Sequence, residues 1–72
     1  MKPSEVLWRA KEIWEAGKAT VFTEAIAKVS AVEREVRQAA FTFDSCAFWS
    51  DVKQTTKERI DRAIALAEAE EE

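Results

Sequence analysis

Residues that interrupt helices are almost absent from this chain of 72 residues, which holds one proline and one glycine. Pro3 suits the first turn of a helix, where the missing N–H costs nothing because that donor has no partner within the helix. Gly17 suits the position just past a helix end, where a left-handed backbone favours glycine. With so few breaks elsewhere, the sequence predicts an all-α fold.

The segment between these two residues has an apolar stripe with helical spacing, and it predicts a first helix over about residues 3–16. The stripe consists of Val6, Leu7, Ala10, Ile13 and Trp14. At about 100° per residue, Trp8 points almost opposite to it. We therefore expect Trp14 to be buried and Trp8 to be exposed. Thr20, after a short connection, is the expected N-cap of the next helix.

Apolar residues then recur at heptad spacing: Phe22, Val29, Val36 and Phe43, with Ala25, Val32 and Ala39 three positions after the first three. This pattern predicts one long helix over about residues 21–43. A competing interpretation ends the helix at Ser30, because Ser30 and Glu33 have the spacing of a capping box. The continuous helix is preferred, since the heptad pattern passes Ser30 without a change of phase.

A third helix is expected over about residues 46–69, after a turn at Asp44 and Ser45. Thr55 and Glu58 form a second capping-box spacing, so a break near residues 53–55 is the alternative. Short connections predict an antiparallel three-helix bundle, with a short first helix and a long helix 2–helix 3 hairpin. Residues 1–72 then form a single helical domain with an acidic, frayed tail at 68–72. The expected core is Leu7, Ile13, Trp14, Phe22, Val29, Val32, Val36, Trp49, Val52, Ile60 and Ile64.

Composition argues against several classes of function. The chain has no histidine and a single cysteine, Cys46, which removes the usual general base, the Ser-His and Cys-His pairs and a zinc site. We therefore expect no catalytic activity, no cofactor and no metal. The mild net charge of −3 and the short apolar runs predict that neither nucleic acid nor a membrane is the partner. A lone thiol and an N-terminus without a signal-peptide pattern predict a cytoplasmic location.

Part of the C-terminal half carries a family resemblance. Trp49-Ser50-Asp51, Thr56 and the stretch Ile60-Asp61-Arg62-Ala63-Ile64 cover roughly a quarter of the chain. They are similar to a group of short uncharacterised helical proteins from actinobacteria and their phages, in which asparagine stands at the position of Ser50. That group has no established activity, so the resemblance implies a biological setting and no mechanism.

The predicted helix lengths indicate where a partner binds. A first helix of about 20 Å covers a second helix of about 34 Å only to about residue 34, and the uncovered end is rich in aromatic residues. We expect a homodimer contact or a protein-partner site there. One form of such a protein is a phage-type inhibitor of a host protein. The expected binding residues are Phe41, Phe48, Ala40, Cys46 and Trp8. The alternative is a nucleic-acid- or nucleotide-binding protein that uses Trp8, Lys11, Arg34 and Arg37.

Overall fold

The structure, a computed structural model, describes residues 1–45 and 56–71. Within these ranges it contains four helices: α1 (Pro3–Glu15), α2 (Phe22–Val29), α3 (Glu33–Ser45) and α4 (Thr56–Glu70). The predicted all-α fold is thereby confirmed for the part of the chain that is described. The three-helix bundle is not confirmed. The third predicted helix corresponds to α4 from residue 56 onwards, and its first ten residues lie outside the described ranges.

Helix α1 begins and ends as the sequence predicts. Pro3 occupies its first turn, and Gly17 follows its end with a φ of 75°. The Gly17 N–H donates to the Trp14 carbonyl at 3.1 Å, and the Lys18 N–H donates to the Ile13 carbonyl at 3.1 Å. This pair of hydrogen bonds is a Schellman motif, which satisfies carbonyls at the helix end and requires the left-handed backbone that glycine supplies.

The long helix predicted over residues 21–43 is wrong, because the chain leaves the helix at Ser30. Ser30 has extended backbone angles, φ −138° and ψ 143°. Its Oγ accepts a hydrogen bond from the Val32 N–H at 3.1 Å and donates one to Glu35 Oε2 at 3.1 Å. The hydroxyl thus replaces helix hydrogen bonds with local ones. The competing interpretation placed the helix end at Ser30 correctly, but the carboxylate that accepts from the Ser30 hydroxyl belongs to Glu35 and not to Glu33.

The start of α2 also differs from its prediction. Val21 is the N-cap residue, and its apolar side chain makes no capping hydrogen bond. Thr20, the predicted N-cap, lies one residue earlier, where its own N–H donates to Glu24 Oε2 at 3.4 Å. The first turn of α2 therefore begins without a side-chain acceptor at the N-cap.

The break at Ser30 changes how the helices pack. Helix α3 folds back along α2, so that Phe22 at the start of α2 meets Phe43 near the end of α3, with ring centroids 4.6 Å apart. Helix α1 packs against α2, α3 and α4. It runs antiparallel to α4, because Ser4 bonds to Glu71 and Lys11 bonds to Asp61. The predicted long hairpin is accordingly replaced by a cluster of helices around α1.

The core agrees with the prediction in part. Leu7, Phe22, Ile60 and Ile64 are buried as expected, whereas Ile13, Trp14, Val29 and Val36 are only partly buried. The prediction that Val32 is buried is wrong, since Val32 lies in the break between α2 and α3 and is 52% exposed. Trp49 and Val52 lie outside the described residues. Among the described residues, the buried apolar residues are Val6, Leu7, Ala10, Ala19, Phe22, Ala25, Ile26, Ala39, Phe43, Ile60, Ala63, Ile64 and Ala67.

Candidate partner-binding surface

Phe41 is the most exposed large apolar side chain in the described part of the chain, at 74%. The buried face of α3 consists of Ala39, Thr42 and Phe43. Phe41 precedes Phe43 by two residues, or about 200° around the helix, so it projects from the opposite side. Its carbonyl accepts a hydrogen bond from Ser45 Oγ at 2.9 Å. Phe41 therefore points away from the core.

Polar side chains surround Phe41 on the outer face of α3. Arg37 and Gln38 lie one turn before it and Asp44 lies almost one turn after it, and all three are exposed. Arg37 forms an ion pair with Glu33, four residues earlier. Phe41 is thus a single exposed aromatic residue among polar neighbours on the outer face of α3.

The other predicted binding residues are distributed differently. Ala40 is half-buried and packs against the core, so it adds little to an outer surface. Cys46 and Phe48 lie outside the described residues. The prediction that α1 leaves this end of the helices uncovered is wrong in part, because α1 packs on α3 as well as on α2 and Phe43 is buried. The role of these five residues in partner binding stays a prediction.

Trp8 lies on the edge that α1 shares with α4. It is 47% exposed, as predicted, and it is one turn from both Ser4 and Lys11, whose side chains reach α4. The Lys11 ammonium lies 5.0 Å from the centroid of a Trp8 ring and 2.9 Å from Asp61. The hydrogen bond to Asp61 raises the pKa of Lys11 above its ordinary value. Trp8 is therefore part of a local cation–π and ion-pair group.

A second feature, which was not predicted from the sequence, is a depression between the starts of α2 and α4, here called the Arg59 depression. The Arg59 guanidinium stacks 4.5 Å from the Phe43 ring centroid. Its Nε atom is buried and has no hydrogen-bond partner in the described part of the chain. The depression has a volume of about 280 Å³ and is lined by Trp14, Thr20, Val21, Phe22, Thr23, Phe43, Thr56 and Arg59.

The comparisons with known proteins add no relative. No family model matches the chain, and searches of curated proteins and of solved structures find no significant match. Over the described residues, no helix is long and apolar enough to cross a membrane. Across the same ranges, no group of three or more Asp, Glu, Cys or His side chains is placed to hold a metal ion.

Proposed function

We propose that this protein is a non-catalytic helical interaction module, which self-associates or docks on a protein partner through the outer face of α3. The exposure of Phe41 carries this proposal. A chain of this size has a small core and little stability to spare. An aromatic ring left in water contributes nothing to that core, whereas the same ring buried at an interface contributes strongly to binding.

The charge pattern supports a protein partner more than a nucleic acid. Of the four residues that the nucleic-acid alternative requires, Lys11 is paired with Asp61 and Arg37 is paired with Glu33. A phosphate backbone binds to cations that are not already neutralised by carboxylates. A cytoplasmic homodimer and a phage-type inhibitor that occludes a host protein are two concrete forms of the module, and both use Phe41 as the anchor.

Replacing Phe41 by aspartate tests the proposal. We expect F41D to weaken association at least tenfold, because it places a charge at the centre of the interface, while the far-ultraviolet circular dichroism stays helical. Light scattering over a range of concentrations measures self-association, and affinity capture from the host lysate measures docking on another protein. L66D is the matched control, since it makes a similar change at an exposed leucine on α4.

The two variants separate the outcomes. Loss of association in F41D and its retention in L66D support the proposal. An F41D protein that remains helical and associates like the unchanged protein contradicts it. Binding to nucleic acid that weakens steeply with salt, and that F41D leaves unchanged, favours the alternative function instead.

A further inference from the structure

We propose that the Arg59 depression is a binding site for a carboxylate group attached to an apolar body. This site is separate from the outer face of α3, because Phe43 lines the depression and Phe41 projects from the opposite side of the same helix. The inference therefore does not depend on the function proposed above. Three properties of the depression lead to it: its charge, its hydrogen-bond donors and its apolar walls.

The described residues that line the depression carry one charge, a positive one. Arg59 is the one charged residue among the described residues that line it. Its guanidinium stacks on Phe43, and its buried Nε has no hydrogen-bond partner within residues 1–45 and 56–71. A singly charged anion bound beside the guanidinium would balance its charge.

The backbone at the start of α2 provides further donors. The first N–H groups of a helix have no partner within it, and they attract anions together with the helix dipole. A capping side chain usually satisfies one of them, but the N-cap residue Val21 makes no such bond. Val21, Phe22 and Thr23 line the depression, so this uncapped turn opens onto it. The hydroxyls of Thr20, Thr23 and Thr56 add donors that are not charged.

Aromatic side chains form the rest of the lining. Trp14, Phe22 and Phe43 all contribute to it, and the Phe22 and Phe43 rings pack together at 4.6 Å. A planar carboxylate matches the planar guanidinium fork, while an apolar group beside it would pack on the rings. An apolar residue at a peptide C-terminus offers this combination, and so does an acidic side chain next to an apolar one.

Titrations followed by amide NMR spectra of the whole protein test the site with defined probes. The first probe is 3-phenylpropionate, and 3-phenylpropanol is its neutral control. We expect the carboxylate to shift the signals of Phe22, Thr23 and the Trp14 indole saturably, with a Kd on the order of a few millimolar for so small a ligand. N-acetylphenylalanine and the amide of N-acetyl-Asp-Phe then distinguish a terminal carboxylate from a side-chain carboxylate. Inorganic phosphate tests the other common anion.

A pair of variants assigns the binding to Arg59. We expect R59Q to weaken 3-phenylpropionate binding about tenfold or more, because a bidentate charge-assisted contact is lost. R34Q removes an equal charge from an exposed position on α3 and should bind like the unchanged protein. If R59Q fails to fold, the titrations of the unchanged protein decide the matter alone. The proposal is overturned if 3-phenylpropionate and 3-phenylpropanol give the same shifts, if phosphate binds more tightly at these signals, or if R59Q and R34Q bind alike.

Discussion

Ser4 is a polar residue in the buried part of α1, and its contacts with Glu71 explain why it is tolerated there. Its N–H donates to Glu71 Oε1 at 3.1 Å and its Oγ donates to Oε2 at 2.6 Å. Lys2, the N-cap residue of α1, makes no side-chain capping bond. A carboxylate from the far end of the chain therefore satisfies the first turn of α1, where a negative charge also interacts favourably with the helix dipole.

These hydrogen bonds make stability depend on pH. They lower the pKa of Glu71 below its ordinary value of 4.5. A carboxyl whose pKa is lower in the folded state stabilises the fold above its ordinary pKa, and that contribution is lost as the pH falls through the lowered value. We expect E71Q to be less stable than the unchanged protein at pH 7, and the two to converge in acid. Urea unfolding at pH 7 and pH 3 measures the difference.

The neighbouring variant E70Q is the control, because Glu70 is exposed at the end of α4. A stability difference between E71Q and the unchanged protein that is the same at both pH values would contradict the assignment. The Ser4–Glu71 contact was not predicted from the sequence, which expected residues 68–72 to fray. The two residues are 67 positions apart, and only the antiparallel packing of α1 on α4 brings them together. The exposure of Trp8, in contrast, followed from its helical phase alone.

Helices α2 and α3 show what the heptad pattern determines and what it does not. Phe22 and Phe43, at the two ends of the heptad pattern, are both buried, although they belong to different helices. A continuous phase is equally compatible with one long helix and with two amphipathic helices that fold onto each other, because each short helix uses only part of the pattern. The local hydrogen bonds of Ser30 favour the two short helices over one long helix. The heptad pattern does not predict these bonds.

The start of α2 has no side-chain cap, and this leads to a prediction about the stability of that helix. Val21 has the extended backbone of an N-cap residue, with φ −124° and ψ 156°, and its side chain is 54% exposed. We expect V21S to stabilise the protein by about 1 kcal/mol, because serine accepts a hydrogen bond from the first turn. For a domain of this size the melting temperature should rise by roughly 4–8 °C. Thermal unfolding followed by circular dichroism measures the shift.

V21A is the matched control, because it removes the same apolar surface and supplies no acceptor. The difference between the serine and alanine variants isolates the contribution of the cap. Equal melting temperatures for V21S and V21A would show that the first turn of α2 gains nothing from a side-chain cap.

At the scale of the whole molecule, α1 and α3 each contact all the other helices in the described ranges, and α1 packs against both α2 and α4, which do not contact each other. The largest fully buried side chains are Leu7 and Val6 from α1, Ile26 from α2 and Ile60 from α4. The sequence predicted the all-α class and the buried stripe of α1, but it did not predict how the helices pair. The Arg59 depression depends on that pairing, since residues from all four helices line it. Phe41, whose exposure depends on one helix alone, was predictable.

Leu7 connects this packing to stability. It is fully buried in α1, and a Leu→Ala change at such a site costs about 2–5 kcal/mol. A single core in a chain of this length rarely supplies more than about 3–5 kcal/mol. We therefore expect L7A to unfold a large share of the isolated protein at 25 °C, with the loss of helicity in all the described helices together. The matched control L66A makes the same chemical change where leucine is 38% exposed, and it should remain folded with a smaller loss of stability. Urea titrations monitored by circular dichroism compare the two, and equal midpoints for L7A and L66A would mean that α1 is not the centre of the fold.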